Sequence, residues 1–592
     1  TASLTLAPNG TAVWSVTTEA EEAQLAAFVH ANVAKQYAKA NLNPGLAYLE
    51  RQLSVTVNES GSCNAYSTGD DIHFYPRDQQ CENTGLLADV VYHEFGHSLH
   101  ANSLVRGAGQ FDSALSEGLA DFLAASITGD PGMGRGFFFS NEALRDIDPT
   151  NHEARWPNDR STDPHATGEI IGGALWDMRK ALITKLGTTA GIALTSKLYY
   201  AVMQRAPNIE SSFIEVLAAD DDDGDVSNGT PNLCELINAF KPHGLVDVAA
   251  ITGLQPPVRD GFKLAVATNA GSQVACNVPT IASAQVQWKV RGDAAAQGNF
   301  ELTNGAAGWI GEIPTQANGK IVQYRVNVSF SDGSVVSYPN NPVDPFYEFA
   351  VDERQPIWCA DFESGANDWT KTSTWTVGAT GAGKYNPKAA FAGASFLGLA
   401  LTGSGQYKAR ATASAQSPEV DVAGFSNVHL QYRRWLSVED GFFDQAKILA
   451  NGTKVWSNYA SATDPEDNGH HHVDQEWRFV DLDITNQAKS GKVKLSFELT
   501  ADDGLNFGGW NLDNVCLVGT PLQACGNGTT EGAESCDDGN TADGDGCSAT
   551  CSNEEGGGGG GCSSNGTSPA NSAIVLLALA GMGLAARRRH AA

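Results

Sequence analysis

Up to Leu245, hydrophobic positions recur mainly at helical spacing. One stripe of apolar residues spaced three or four apart predicts an amphipathic helix around a pair of histidines. Similar spacing predicts helices over residues 21–40, 114–128 and 168–185, and alternation predicts a strand over residues 53–57. The stripe consists of Leu86, Leu87, Val90, Val91, Phe95 and Leu99.

After Leu245 the spacing changes to the alternation of β-strands. Residues 286–290 and 321–326 alternate between apolar and polar positions, and residues 331–334 have the composition of a hairpin turn. This pattern predicts a β-sandwich of immunoglobulin or fibronectin type. Further along, the segments 359–363 and 508–516 open and close a region that resembles jelly-roll accessory domains of secreted proteins.

Length and charge limit the classes of protein to consider. The chain has 592 residues, too many for one hydrophobic core. Its hydrophobic share of 42% and charged share of 18% are typical of globular domains. The formal net charge of -30 argues against nucleic acid as a partner.

The main candidate chemistry lies in the segment His93-Glu94-Phe95-Gly96-His97. Histidines at i and i+4 share one helix face, and Glu94 between them can act on a water held by a metal. Glu117 follows twenty residues after His97, and with the two histidines it would leave one position of a tetrahedral zinc open. Asp121, one turn beyond Glu117, can hydrogen-bond a ligand histidine from behind. The pentapeptide alone also fits a helix with solvated histidines.

These residues resemble the thermolysin and fungalysin branch of the gluzincin metallopeptidases, over about residues 20–245. The segment Asn64-Ala65-Tyr66 resembles the edge strand that holds the substrate backbone in that family, and residues 163–170 resemble the segment with its transition-state histidine. The resemblance implies zinc ligation by His93, His97 and Glu117, with Glu94 as general base for a zinc-activated water and His165 as the group that stabilises the oxyanion. Apart from the resemblance, His165 fits an ordinary loop histidine.

The chain departs from the family at one position. Thermolysin-like enzymes place a tyrosine eleven residues after the second zinc histidine, where this chain has Ala108. Tyr199 or Tyr200 are candidate replacements, unless His165 acts alone. A metzincin assignment is excluded because Ser103 stands six residues after His97 and no third histidine completes that pattern. His100 is accordingly expected on the helix surface.

A run of aspartates suggests a second metal. Asp221, Asp223 and Asp225 alternate like the ligands of a calcium loop, and carboxylate oxygens suit Ca²⁺. The run is not a full EF-hand, because its glycine falls early and no glutamate closes it. A calcium site and a solvated acidic loop both fit.

The cysteines indicate an exported, oxidised protein. Cys63 and Cys81 bracket the segment before the histidine motif, and Cys359 and Cys516 bracket the second β region. Cys234 and Cys276 are a further candidate pair, although sequence alone does not fix connectivity. The remaining cluster, which resembles a cysteine-rich repeat of myxobacterial surface proteins, consists of Cys525, Cys536, Cys547 and Cys551.

The C-terminal end resembles the MYXO-CTERM sorting signal of myxobacteria. A glycine-rich linker and Cys562 precede an apolar run over residues 573–586, and three arginines follow it. The resemblance implies cleavage near Cys562 and delivery to the cell surface or outside. The alternative is a plain membrane anchor, although the apolar run is short for a membrane span.

The sequence therefore predicts a multidomain chain in which an α+β thermolysin-like domain precedes β-sandwich and jelly-roll domains. The predicted divisions are 1–247 (zinc metallopeptidase), 248–352 (immunoglobulin- or fibronectin-like sandwich), 353–518 (jelly roll), 519–552 (cysteine-rich repeat), 553–572 (linker) and 573–592 (hydrophobic segment with an arginine tail).

The predicted function is that of a secreted or cell-surface zinc metalloendopeptidase acting on protein or peptide substrates, with Zn²⁺ and Ca²⁺ as metals. Membrane contact is expected through the C-terminal segment unless that segment is cleaved off. The alternative is a surface adhesin whose peptidase-like domain is inert. A zinc-dependent esterase or amidase also fits the ligand set, but the Asn64 edge strand favours an extended peptide.

Overall fold

The computed structural model describes residues 11, 13–105, 111–224, 226, 229–268, 276, 278–306, 308–351, 354–463, 470–522, 525–530 and 534–554. The chain divides into two compact units, Thr1–Pro521 and Leu522–Ala592. The predicted tail, with Cys562 and the apolar run, lies outside the described residues, as do Ala108 and Asp225. The described residues combine helices with many β-sheets.

The α-helices of the described chain all lie before residue 253, where helical spacing was predicted. They pack around one large apolar cluster that includes Phe95, Leu119 and Leu175. Their bounds are α1 Glu19–Asn41, α2 Ala88–Ser103, α3 Ser113–Thr128, α4 Pro164–Leu186, α5 Thr188–Arg205, α6 Ser212–Asp220, α7 Leu233–Phe240 and α8 Val248–Thr252, with 3-10 turns at Ala47–Glu50 and Thr84–Leu86.

Local capping explains where the helices begin. Thr18 and Glu21 form a capping box, so α1 starts two residues before the predicted bound. Asp163 caps α4 and Pro164 occupies its first turn, which starts this helix four residues early. In consequence His165 lies on the first turn of a helix, and the alternative of an ordinary loop histidine is wrong.

The short strands of the helical region form two small sheets. The first has the order β1-β3-β2, in which β1 is parallel to β3 and β2 is antiparallel to it, so β2 is an edge strand. The strands are β1 Ser54–Thr56, β2 Ala65–Ser67, β3 Asp71–Phe74, β4 Gly132–Met133 and β5 Arg145–Asp146.

The next part of the chain consists of two antiparallel sheets around one apolar core, as alternation predicted. The sheets have the orders β10-β11-β7-β6 and β13-β12-β8-β9, with β14 also paired to β12. Val266 and Tyr324, one from each sheet, belong to the same cluster. The strands are β6 Val258–Asp260, β7 Lys263–Val266, β8 Ile281–Val290, β9 Asp293–Glu301, β10 Thr303–Gly305, β11 Gly308–Glu312, β12 Lys320–Phe330, β13 Val335–Tyr338 and β14 Tyr347–Val351.

A second β part follows, and its seven-stranded and five-stranded sheets enclose another core that contains Trp375 and Trp510. The central pair of the larger sheet is β21 with β28, and β27 lies in the middle of the smaller one. The strands are β15 Gln355–Ala360, β16 Thr370–Lys371, β17 Thr376–Gly378, β18 Phe396–Gly398, β19 Thr412–Gln416, β20 Val420–Asp421, β21 Phe425–Val438, β22 Gln445–Ala450, β23 Thr453–Ser457, β24 His472–Val473, β25 Arg478–Asp483, β26 Lys492–Val493, β27 Leu495–Thr500 and β28 Gly509–Pro521. The assignment of this part as a jelly roll, like the predicted domain boundaries, stays a prediction.

Five disulfides cross-link the described residues, and they favour an extracellular location. Cys63–Cys81, Cys234–Cys276 and Cys359–Cys516 lie in the first unit, and Cys525–Cys551 and Cys536–Cys547 lie in the second. In the second unit the Asp537 carboxylate accepts hydrogen bonds from the backbone N–H groups of Gly526, Gly528 and Gly539. Disulfides and such turns hold a segment too short to build a large core.

None of the helices in the described part of the chain is both long and apolar enough to span a membrane. The predicted hydrophobic segment, residues 573–592, lies outside that part.

Candidate metal centre in a cleft of the helical region

A cleft with a volume of about 690 Å³ opens between strand β2, one face of α2, and the first turns of α3 and α4. Its lining combines polar residues with apolar ones such as Met133 and Phe138. His93, Glu94, His97, Glu117 and His165, predicted to act together, all line this cleft, as do Asn64, Ala65 and Tyr66.

Close helix packing brings the chemical groups together. A Cβ on Gly96, in the histidine helix α2, would lie 2.9 Å from the Ala120 Cα, so only glycine lets α2 and α3 approach this closely. A Cβ on Gly118 of α3 would lie 2.2 Å from the carbonyl oxygen of Gly168 in α4. These contacts place Glu117 of α3 against both α2 and α4.

Three donor atoms converge at the bottom of the cleft. The Nε2 atoms of His93 and His97 lie 3.0 Å apart, and the Glu117 Oε2 lies 3.1 Å from the first and 3.5 Å from the second. Ligands about 2.0–2.2 Å from a tetrahedral zinc are separated by about 3.3–3.6 Å. Glu117 Oε2 is also buried without a hydrogen-bond partner. The donor set therefore fits a zinc ion.

Outer partners fix the tautomer of each histidine. His93 Nδ1 lies 2.7 Å from the Asp121 Oδ1, and His97 Nδ1 lies 2.9 Å from the Ser116 Oγ. With Nδ1 donating its proton to these oxygens, an imidazole whose Nε2 is unprotonated presents the lone pair of that atom to the cleft. The two lone pairs then face each other and the Glu117 carboxylate.

Arg145 is a cleft residue that the sequence motifs do not identify. It lines the cleft and donates two hydrogen bonds to Asp121, from Nε at 2.7 Å and from Nη2 at 2.8 Å. It comes from β5, and no motif connects it with the histidines, so only the folded chain shows this contact.

The charges of this cluster shift its pKa values. Burial alone would lower the pKa of His93, but the carboxylates of Asp121 and Glu117 raise it to about 10. Burial raises the pKa of Glu94. For Asp121, burial is outweighed by Arg145 and His93, which hold its pKa below the ordinary value.

His165 lies beside the same carboxylate. Its Nε2 is 3.3 Å from Glu117 Oε2, and its Nδ1 is 2.9 Å from the Asp163 Oδ1. The side chain remains 44% exposed, so it can meet a molecule in the cleft. The hydrogen bond from His165 lowers the pKa of Asp163.

The predicted substrate strand lies at the rim. Asn64 precedes β2, and Ala65 and Tyr66 belong to it. Within the described residues β2 pairs with β3 on one side and ends the sheet on the other. The Tyr66 hydroxyl donates to the Glu59 carboxylate at 3.0 Å, and its ring stacks on His73 at 4.4 Å.

The prediction about His100, next to the histidine pair, is wrong. His100 is not on the helix surface: it is fully buried, stacks on Phe111 at 3.6 Å and has Nδ1 3.2 Å from the Ser116 Oγ. Burial lowers its pKa to about 3. The helix face that looks polar in sequence is covered by the start of α3.

Neither tyrosine suggested as a replacement at Ala108 lines the cleft. The buried Tyr199 hydroxyl donates to the Leu119 carbonyl at 2.9 Å, and the Tyr200 hydroxyl accepts from Asn43. Both are used in the helical core. Among the described residues that line the cleft, Tyr66 is the only tyrosine.

The acidic run follows α6. Asp221 Oδ2 accepts from the Gly224 N–H, and its Oδ1 is buried without a hydrogen-bond partner. Asp225 lies outside the described residues, so the calcium site stays a prediction.

Comparison with known proteins covers parts of the chain. The family model of a domain of unknown function, DUF4215, matches residues 506–552. No curated protein matches. Among solved structures, the precursor of protealysin, a metalloproteinase from Serratia proteamaculans, is 15% identical with a TM-score of 0.30, over 39% of this chain and 81% of its own.

Two β domains of other proteins are also similar to parts of this chain. The K3 cleaved adhesin domain of Lys-gingipain from Porphyromonas gingivalis is 14% identical, with a TM-score of 0.17, over 28% of this chain and 98% of its own. The xylan-binding domain CBM22-1 from Paenibacillus barcinonensis is 15% identical, with a TM-score of 0.18, over 29% of this chain and 97% of its own.

Proposed function

We propose that this chain is an exported zinc-dependent endopeptidase whose metal ligands are His93, His97 and Glu117. One observation carries the proposal: two histidine Nε2 atoms and one carboxylate oxygen converge within 3.5 Å, while both Nδ1 atoms already have outer partners. Such an arrangement is repulsive until a cation lies between the donors. Imidazole and carboxylate ligands in this number suit zinc.

When bound, zinc supplies a Lewis acid that polarises a carbonyl and lowers the pKa of water. Glu94, buried beside the two histidines at the base of the cleft, is the general base: it accepts a proton from the attacking water and delivers it to the leaving amine. Asp121 and Arg145 orient His93, while Ser116 orients His97.

His165 is the proposed donor to the developing oxyanion. The hydrogen bond between Nδ1 and Asp163 leaves Nε2 on the cleft side, where a proton on that nitrogen can be donated to negative charge. Asn64, Ala65 and Tyr66 are proposed to bind the substrate backbone, since an edge strand can pair with an extended peptide.

We propose that this activity lies outside the cytoplasm, at the cell surface or in secreted form, and the disulfides support this location. The second candidate is a surface-binding protein whose peptidase-like region is inert. It rests on the absence of a donor tyrosine at Ala108 and on the fact that Tyr199 and Tyr200 are used in the core.

The test is casein cleavage by the full chain, with zinc content measured on the same samples. Glu94→Gln keeps the size of the side chain and removes its basicity, so we expect zinc to be retained and the rate to fall by about 10²–10⁴-fold. The matched control is Glu50→Gln, an exposed residue of the same type, which should cleave like the wild type. A wild type that binds zinc and cleaves neither casein nor a peptide library would favour the binding protein.

A further inference from the structure

A second cluster of ligating groups lies away from the cleft. Asp148, Glu153 and Asp177 each offer a carboxylate oxygen, and these oxygens all lie within 4.8 Å of one another. Asp148 and Glu153 belong to the segment after β5, and Asp177 belongs to α4. His243, which follows α7, points its Nε2 at the same place, 3.5 Å from the Asp177 Oδ2 and 3.8 Å from the Glu153 Oε2.

His243 has the geometry of a metal-binding histidine. Its side chain is 0% exposed, and its Nδ1 lies 3.0 Å from the Ala154 carbonyl oxygen, to which it must donate. This fixes the tautomer and leaves the Nε2 lone pair for a cation, as in most histidine ligands of metals. The Nε2 atom has no hydrogen-bond partner although it is buried.

The distances favour a metal over direct hydrogen bonds. Contacts of 3.5 and 3.8 Å from His243 Nε2 exceed normal hydrogen-bond lengths of about 2.7–3.2 Å. The 3.5 Å contact matches the roughly 3.3–3.6 Å between neighbouring ligands of a tetrahedral ion, and the 3.8 Å contact lies slightly above it.

The local charge also favours a divalent ion. Lys180 donates to Asp148 at 2.5 Å and to Asp177 at 2.8 Å, so it compensates only part of the negative charge. With a neutral His243, the three carboxylates and this ammonium group leave a net formal charge of -2.

We propose that Glu153, Asp177 and His243, with Asp148 beside them, form a second, structural site for a divalent transition-metal ion such as Zn²⁺. One imidazole with carboxylates suits zinc better than calcium, which prefers oxygen ligands alone. The ion would join the segment that follows Arg145, helix α4 and the chain after α7. It would thereby stabilise the elements that carry Arg145 and His165.

The experiment measures zinc per chain by elemental mass spectrometry, and Tm by calorimetry, on the full chain loaded with Zn²⁺ and dialysed. Glu153→Gln should contain one zinc fewer than Glu50→Gln, because it removes one ligand from a side chain that is 33% exposed and whose loss the fold can tolerate. Its Tm should fall by about 2–4 °C or more, and added Zn²⁺ should no longer raise it.

Two further variants keep the result interpretable. Gly173→Ala places a Cβ 2.5 Å from the His243 Cε1, so it should displace the imidazole and also remove this zinc. Glu117→Gln should remove the other zinc, and its combination with Glu153→Gln should remove both. Equal zinc content in Glu50→Gln, Glu153→Gln and Gly173→Ala would overturn the proposal.

Discussion

Two buried polar clusters of this molecule handle charge in different ways. In the second β part, Arg434 lies between acids: Nε is 2.8 Å from the Asp474 Oδ2, and Nη2 is 2.5 Å from the Asp344 Oδ2. In the cleft, the lone pairs of His93 and His97 face the Glu117 carboxylate with no such side chain between them. The first cluster carries its own cation, whereas the second is arranged to receive one.

The presence or absence of an internal cation distinguishes a structural cluster from a site that binds an ion. A guanidinium satisfies carboxylates permanently and joins two parts of the chain, since Asp344 lies in the loop before β14 and Asp474 follows β24. A set of unprotonated donors is stable only when an ion is supplied from solution. The His243 cluster has features of both, because Lys180 provides an internal cation but compensates only part of the negative charge.

The largest expected effect comes from removing the internal cation. Arg434→Met removes the guanidinium that pairs with the buried Asp474 and the partly exposed Asp344, and it should lower the free energy of unfolding by about 3–5 kcal/mol. Chemical denaturation of the full chain measures it, and Arg410→Met, at a residue 78% exposed, is the control. The triple variant with Asp344→Asn and Asp474→Asn should recover part of the loss. No recovery would mean that the packing of Arg434, rather than its charge, stabilises this region.

An intermediate effect, on zinc affinity, is expected from changing Asp121, which hydrogen-bonds the proposed ligand His93. Asp121→Asn keeps the shape of the side chain but weakens the hydrogen bond that it accepts from His93 Nδ1, so zinc affinity should fall by about 10–100-fold. Competition with a chromophoric chelator measures the affinity, and Asp70→Asn, which changes an exposed residue, is the control. Unchanged affinity would show that Asp121 does not orient this ligand.

The smallest effect is expected at Glu439, a buried carboxyl group that has no internal cation and keeps its proton in the folded state. Burial, with Asp444, Asp502 and Asp440 nearby, raises the pKa of Glu439 from 4.5 to about 8, and its Oε2 is buried without a hydrogen-bond partner. Between these two values the folded state holds a proton that the unfolded state releases, so this carboxyl lowers stability as pH rises. It has little effect below the unfolded pKa.

Glu439→Gln cannot ionise and should therefore stabilise the chain by about 1 kcal/mol or more at roughly pH 9, with little change at roughly pH 4. Tm measured at both pH values tests the sign, and Glu419→Gln, at an exposed glutamate, is the control. Equal Tm shifts at the two pH values would contradict the raised pKa.

Much of the fold and part of the site could be predicted because the signals are local. The i, i+4 spacing of His93 and His97 fixes them on one face of α2, and Asp121 follows Glu117 by one turn of α3. Strand alternation located β8 and β12, and the glycine at 333 has the positive φ of +85° that the predicted hairpin requires. The prediction that His100 lies on the helix surface was wrong because Phe111 and Ser116, from the segment and helix that follow, bury its side chain.

The sequence by itself determined which donor types stand at helical spacing and where helices give way to strands, because both depend on neighbours within a few residues. Tertiary structure alone decided that Arg145 meets Asp121 and that His243 meets Asp177 and Glu153. These contacts join residues far apart in the chain, and no periodicity encodes them. Glycines permit such approaches: Gly118 lets α3 approach Gly168 of α4, and Gly173 leaves room for the His243 ring.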